Sequence, residues 1–221
     1  LPVYDEEFHL VRCNYQAPAV ALSLAKDGKV FSGLCGWSSE EIDVANAIIS
    51  IRQGKAISFD QMKAIINLFP LKMLGIKENK ADFISRLEKE YRPELQTGSG
   101  ILTTQILDIL NSVDPTKGMV RDGALFKAKI NGVKNRKELI TSKEVKNRAV
   151  LTIHGAKGLE AEAVFLHTAI TPRIQKALLT PGKESQAEAR VWYVGVTRPK
   201  KVLYLVTDAG KNYTLPGVPS C

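Results

Sequence analysis

Hydrophobic and polar positions change rhythm along the chain, and the change divides it. Val150–Ile153 and Ala163–Ile170 are short, β-rich apolar runs with no polar alternation, the pattern of parallel strands buried on both faces. A third run, Val202–Val206, follows Ala189–Thr197, where Val191, Val194 and then Arg198 recur at helical spacing and Pro199 stops or bends the helix. The order from Arg148 to Asp208 is therefore strand, loop, strand, helix, strand. Near the start, Phe8–Arg12 reads as a strand and Ala17–Ala25 as a helix whose Val20, Leu22 and Leu24 spread over more than one face. Lys29–Phe31 follows as a short strand after the Asp27-Gly28 turn. Strand, helix, strand is the unit of a parallel sheet.

Between these stretches the period is helical. Ser38-Ser-Glu-Glu-Ile42 is a capped helix start with acids in its first turn, running to about Arg52 and stopping at Gly54. Ser58 starts another helix through Leu68, ended by Pro70. Asp82–Tyr91 and Thr103–Val113 are amphipathic, separated by the loop Gly98-Ser-Gly100; Asp114–Gly118 turns the chain, and Lys127–Lys146 reads as a basic loop. Trp37 is expected in core packing. The domain reading is residues 1–76 as the first part of an α/β domain, 77–147 as a small helical insertion with a basic loop, and 148–221 as the second part.

Composition narrows the class. The 221 residues are 44% hydrophobic and 24% charged, enough for a real core and unlike a disordered tail. A net charge of +8 favours a polyanionic partner, with a merely solvated basic surface as the alternative. The run Lys134–Arg148 divides the same way between gripping phosphates and solvation, and solvation is favoured. Cys13, Cys35 and Cys221 are odd in number and lack paired metal spacing, so a reducing compartment with no disulfide framework and no metal site is expected. No apolar run reaches membrane length, which makes a cytoplasmic protein the expectation.

Candidate chemistry gathers after Ile153. His-Gly-Ala-Lys-Gly follows a buried strand, and ligands of open α/β sheets sit at the carboxyl ends of strands, so one site in this loop is expected. Lys157 and His154 can donate to phosphate, Glu160 can accept from a sugar hydroxyl, and Gly155 and Gly158 admit close backbone approach. A glycine-containing surface turn with solvated charges is the competing reading. Arg198 could offset the negative end of its helix, or stabilise charge on a transferred phosphoryl group.

Thr152-Ile-His-Gly-Ala-Lys-Gly-Leu-Glu160 closely resembles motif V of the superfamily 1A helicases of the UvrD, PcrA and Rep type, and Tyr193-Val-Gly-Val-Thr-Arg198, preceded by Glu188 and Arg190, resembles their motif VI. The resemblance covers the second RecA-like motor domain. It implies an α/β fold of the P-loop NTPase type, a parallel sheet flanked by helices, with a reduced version of the family's inserted domain. It also implies ATP and magnesium as cofactors, with Arg198 as the phosphoryl-contacting arginine. Glu160, Gly158 and Lys157 would stand at the nucleotide, and Arg12, Asn14, Thr152 and His154 on single-stranded DNA. Capping by Asn14 and a strand-end role for Arg12 are the local alternatives. Ala161 stands where the family commonly has an aromatic, Ala187 and Ala189 where it has charged residues, and Pro199 where it has alanine.

No Gly-x-x-x-x-Gly-Lys-Ser/Thr loop and no strand ending in paired acids occurs in the sequence. The resemblance assigns those parts to a first motor domain, so the chain is expected to be the carboxyl-terminal part of a longer helicase, inactive by itself. That domain, single-stranded DNA and single-strand/duplex junctions would be its partners, and 3′ to 5′ its polarity. A helicase-like DNA-binding or protein-binding module that lacks a motor is the alternative, and action on RNA a third reading.

Overall fold

The computed structural model describes residues 4–90, 102–121, 123–207, 212 and 213; Tyr91, the loop 98–100, Asp208 and Cys221 fall outside them. The chain forms two compact units, residues 1–21, 31–36 and 143–221 in one and 22–30 and 37–142 in the other.

The first unit is built on a five-stranded sheet in the order β2-β3-β1-β4-β5, every pair parallel. The strands are β1 (Glu7–Val11), β2 (Ser32–Gly33), β3 (Arg148–Thr152), β4 (Ala161–His167) and β5 (Pro199–Val206). Helix α1 (Ala17–Lys26) follows β1 through a single 3-10 turn at Asn14–Gln16. The strand expected at Lys29–Phe31 lies instead at Ser32 and Gly33, opposite Ala149 and Val150, and β3 lies between it and β1. Val30 and Phe31 are buried instead as side chains, which is the apolar signal the sequence carries there. Thus β1, from the start of the chain, is flanked by β3 and β4 from its end. His9 sits opposite Val150 on one side and Phe165 on the other.

One sheet face carries Phe8, Leu10, Leu151, Val164, Leu166, Leu203 and Leu205 against Trp192, Val191 and Val194. Those last three lie on α10 (Lys183–Val196), which follows α9 (Pro172–Leu179). Trp192 is almost wholly buried, and its truncation to alanine would cost about 3–5 kcal/mol. The helix reaches the sheet at Gly195, where a Cβ would meet a Leu166 methyl at 3.1 Å. The other face bears an aromatic file across three strands. His9 stacks on Phe165 at 4.6 Å and Phe165 on Tyr204 at 4.7 Å, and the Tyr204 and Tyr4 hydroxyls are 2.7 Å apart.

The second unit is helical. It contains α2 (Ser39–Arg52), α3 (Phe59–Leu68), α4 (Leu71–Leu74), α5 (Lys80–Glu90), α6 (Thr104–Asn111) and α7 (Ala124–Val133). The short α8 (Ser142–Asn147) follows and leads into β3. Ser38 and Glu41 cap α2 reciprocally, the Ser38 amide donating to Glu41 at 2.9 Å and the Glu41 amide to the Ser38 hydroxyl at 3.2 Å. The Glu41 carboxylate also accepts from Lys129 at 2.7 Å and from Arg121 at 3.1 Å. Lys127–Lys146 is therefore not one basic loop: Phe126, Ile130 and Val133 bury one face of α7, and Lys129 is drawn inside by Glu41. Asn46 holds the chain after α7 to α2, its side chain accepting from the Ile140 amide at 2.7 Å and donating to the Ile140 carbonyl at 3.0 Å. Trp37 is buried, with the Lys129 ammonium 5.6 Å from its ring centre.

Candidate functional site

The residues singled out in the sequence lie in the first unit, at two edges of its sheet. Because the strands are parallel, β1 and β3 finish at the same edge, with Val11 level with Thr152. Arg12 and Asn14 follow one and His154 follows the other, and the Ile153 amide donates to the Val11 carbonyl at 2.9 Å. Asn14 and His154 are exposed. Glu160 stands immediately before β4 and Arg198 immediately before β5, at the opposite, amino-terminal edge. Strand β4 alone, seven residues long, separates the edges by about 20 Å.

Residues 153–160 therefore do not form one site at the carboxyl ends of the strands. They travel from one edge to the other. Local hydrogen bonds fix the path: the Gly155 amide donates to the Thr152 hydroxyl at 2.9 Å, and the amides of Ala156, Lys157 and Leu159 donate to the carbonyls of Thr152, His154 and Ala156. Ala156 is buried among Leu10, Val164 and Trp192, so the segment is anchored at its middle. Gly158 has φ +81° with open space where a side chain would project, a backbone state that favours glycine. Between the segment and α10 is a cavity of about 200 Å³ lined by Ile153, His154, Lys157, Arg190, Val191 and Val194.

At the amino-terminal edge, Arg198 is held by its neighbours. Its guanidinium donates to the Val194 carbonyl and the Thr197 hydroxyl, both at 3.0 Å, and to the Leu159 carbonyl at 3.2 Å. The Ala161 amide donates back to the Arg198 carbonyl at 3.2 Å. Arg198, two residues beyond the end of α10, is thereby tied to the residues on either side of Glu160, which is exposed.

At the other edge the structure pairs Arg12 with Glu188 of α10, Nε donating to Oε2 at 3.0 Å and Nη2 to Oε1 at 2.7 Å. The two side chains are only 17% and 16% exposed. The carboxylate hydrogen bond raises the Arg12 pKa against the opposing effect of burial, so its charge is permanent. Thr152 is half-buried, its hydroxyl oxygen committed to the Gly155 amide. Helix α9 has no counterpart in the strand, loop, strand, helix, strand order expected from Arg148 to Asp208. Its signal was present in Thr171-Pro172, a capping threonine ahead of a proline in the first turn, and the Thr171 hydroxyl does accept from the Ile174 amide at 3.1 Å. Among the described residues no group of three His, Cys, Asp or Glu is placed to hold a metal ion, and no helix is long and apolar enough to cross a membrane.

An all-parallel sheet flanked by helices, with an arginine between the last of them and the last strand bonded to the loop before β4, defines a RecA-like α/β domain. Residues 106–209 match the family model described as the UvrD-like helicase C-terminal domain. Over 76 residues the chain is 37% identical to a protein of Rickettsia typhi named DNA helicase II, a stretch covering 33% of this chain and 11% of that protein. Over 74 residues it is 36% identical to a Mycoplasma pneumoniae protein named Probable DNA helicase, covering 32% of this chain and 14% of that one. The similarity to the UvrD-like helicase C-terminal domain thus covers residues 106–209, somewhat under half of the chain, and the chain spans only 11% and 14% of the length of the two relatives it matches.

Proposed function

We propose that the chain is the second motor domain of an ATP-dependent translocase that moves along single-stranded DNA and opens duplex at junctions. In this reading residues 1–76 and 148–221 belong to the motor. Residues 77–147 are a segment inserted into it, of which 77–142 fall in the same compact unit as α2 and α3. The observation that carries the proposal is the course of residues 153–160, which begin beside Arg12 and Asn14 at one sheet edge and end beside Arg198 at the other.

The amino-terminal edge fits one wall of a nucleotide site. Glu160 offers an exposed carboxylate to ribose hydroxyls, Gly158 leaves room for close approach, and Arg198, partly buried, is oriented through three hydrogen bonds. Phosphate-cradling amides and magnesium ligands would come from a first motor domain with its own phosphate loop. ATP, when bound, supplies the phosphoryl bond whose hydrolysis drives movement. Arg198 would stabilise the charge on its terminal phosphate and Glu160 would orient the sugar. At the carboxyl edge His154, Thr152, Asn14 and the Arg12 segment would meet the DNA strand. Lys157 and Gly158, between the edges, would transmit displacement from one to the other.

The test is made in a polypeptide joining this chain to a phosphate-loop motor domain. Arg198→Ala should remove most DNA-stimulated ATP turnover and leave single-strand affinity largely intact, whereas His154→Ala should weaken DNA binding more than nucleotide binding. Unchanged turnover in the Arg198 variant would sink the assignment. A binding module without a motor is the second reading; it predicts no dependence of turnover on Arg198.

A further inference from the structure

The largest cavity described in the first unit, about 880 Å³, opens at the carboxyl edge of the sheet, between the turn after β1, helix α9 and the start of α10. Its lining combines three kinds of group. Tyr15 is 63% exposed, a large aromatic left in solvent. Arg173 and Lys176, one turn apart on α9 and so on the same helix face, are exposed, and neither cationic side chain has a hydrogen bond or ion pair to a described residue. The third group is Arg12 with Glu188, whose charges are mutually satisfied at 2.7 Å.

The tyrosine is exposed but not loose. Gln16 accepts from the Cys13 amide at 2.7 Å and donates to the Ala169 carbonyl at 2.8 Å, clamping the turn that carries Tyr15 to the exit of β4. The Arg12–Glu188 pair fastens the same turn to α10. An aromatic ring held in water by a rigid turn, beside two cations with no carboxylate partner, is the combination that binds single-stranded nucleic acid without sequence preference. The ring stacks a base and the cations take neighbouring phosphates. Glu184 is also in the lining and disfavours phosphate at that end, which directs the backbone toward α9.

We propose that this groove is a single-stranded DNA subsite in which Tyr15 is the base-stacking platform and Arg173 and Lys176 are the phosphate contacts. Arg12 is then a positioning residue that fixes the Tyr15 turn through Glu188 and does not itself grip the strand. The proposal rests on the DNA-binding reading above and adds to it residues outside the motif V and VI resemblances.

The experiment is a salt titration of labelled oligothymidylate binding to the 221-residue chain by fluorescence anisotropy, comparing the parent with Tyr15→Ala, Tyr15→Phe, the double variant Arg173→Ala/Lys176→Ala, and His154→Ala. Tyr15→Ala should weaken binding about tenfold while Tyr15→Phe binds as the parent does. The double variant should bind more weakly and lower the slope of log affinity against log salt by about 1.4, two single-strand phosphates' worth. These side chains are exposed, so unfolding midpoints should not move. If Tyr15→Ala and the double variant keep parental affinity and slope while His154→Ala loses affinity, the groove assignment is overturned and the DNA-binding reading stands. If the parent itself does not bind the oligomer, both fall.

Discussion

Replacing Glu188 by glutamine should destabilise the sheet-bearing unit measurably although the shape of the side chain is kept. The carboxylate accepts two hydrogen bonds from the Arg12 guanidinium, at 3.0 and 2.7 Å. Glutamine keeps one acceptor and turns a donor toward the other N–H. Exposed ion pairs contribute about 0–1 kcal/mol, and breaking a fully buried one costs about 3–5 kcal/mol. With the partners 17% and 16% exposed, an intermediate loss of about 2 kcal/mol is expected. For a urea slope of about 2 kcal/mol per M, the unfolding midpoint should fall by about 1 M. The two tryptophans make the assay specific, because Trp192 is buried in the sheet unit and Trp37 in the helical one. In a Trp37→Phe background the fluorescence reports Trp192 alone. Arg12→Lys, which cannot offer the two-pronged geometry, should lose nearly as much. A midpoint change below about 0.2 M for Glu188→Gln would refute the view that this pair fastens the turn after β1 to α10.

Two further predictions concern buried titratable groups. His9 is 8% exposed, and burial first, then His167 and Arg148, push its pKa down to about 3 from the ordinary 6.5. A depressed folded-state pKa means the unfolded chain takes up the proton first, so stability present above pH 6.5 is lost as pH falls toward 3. His9→Phe should therefore lose about 2 kcal/mol less than the parent between pH 7 and pH 5, read from urea midpoints at each pH; parallel pH profiles would contradict this. In the helical unit, Lys129→Met leaves the Glu41 carboxylate, only 4% exposed, with Arg121 and its capping amide alone. A loss of about 3 kcal/mol is expected in the Trp37 signal. Adding Glu41→Gln should cost much less than it does in the parent, and strict additivity would argue against the pairing.

How much could be read in the sequence follows from which interactions are local. Caps and periodicities are local, so α2 and α3 begin after Ser38 and Ser58 as their serines foretell, and β3 and β4 lie where the apolar runs are. The parallel sheet was expected, but the insertion of β3 between β2 and β1 depends on pairings more than 100 residues apart, which no window can register. Lys127–Lys146 looked like a basic loop because lysines dominated its composition. Phe126, Ile130 and Val133 outweigh them once α2 offers Glu41 as a partner for Lys129. His154, Lys157 and Glu160 are neighbours in sequence, which made them look like one site. Parallel strands require the chain to return to the starting edge before each new strand, and that return carries Glu160 away from His154. The partner of Arg12, Glu188, lies 176 residues away, and no local pattern joins the two.

The central claim is that residues 153–160 connect a nucleotide edge to a DNA edge. Its most direct measurement is the ratio of single-strand dissociation constants with and without a non-hydrolysable ATP analogue, in a polypeptide joining this chain to a phosphate-loop domain. The account predicts a ratio of about 5 to 150 in the parent, the usual range for coupled sites. In Arg198→Ala the ratio should collapse toward one while the nucleotide-free DNA affinity is retained. A parent ratio of one, with both ligands bound, would contradict it.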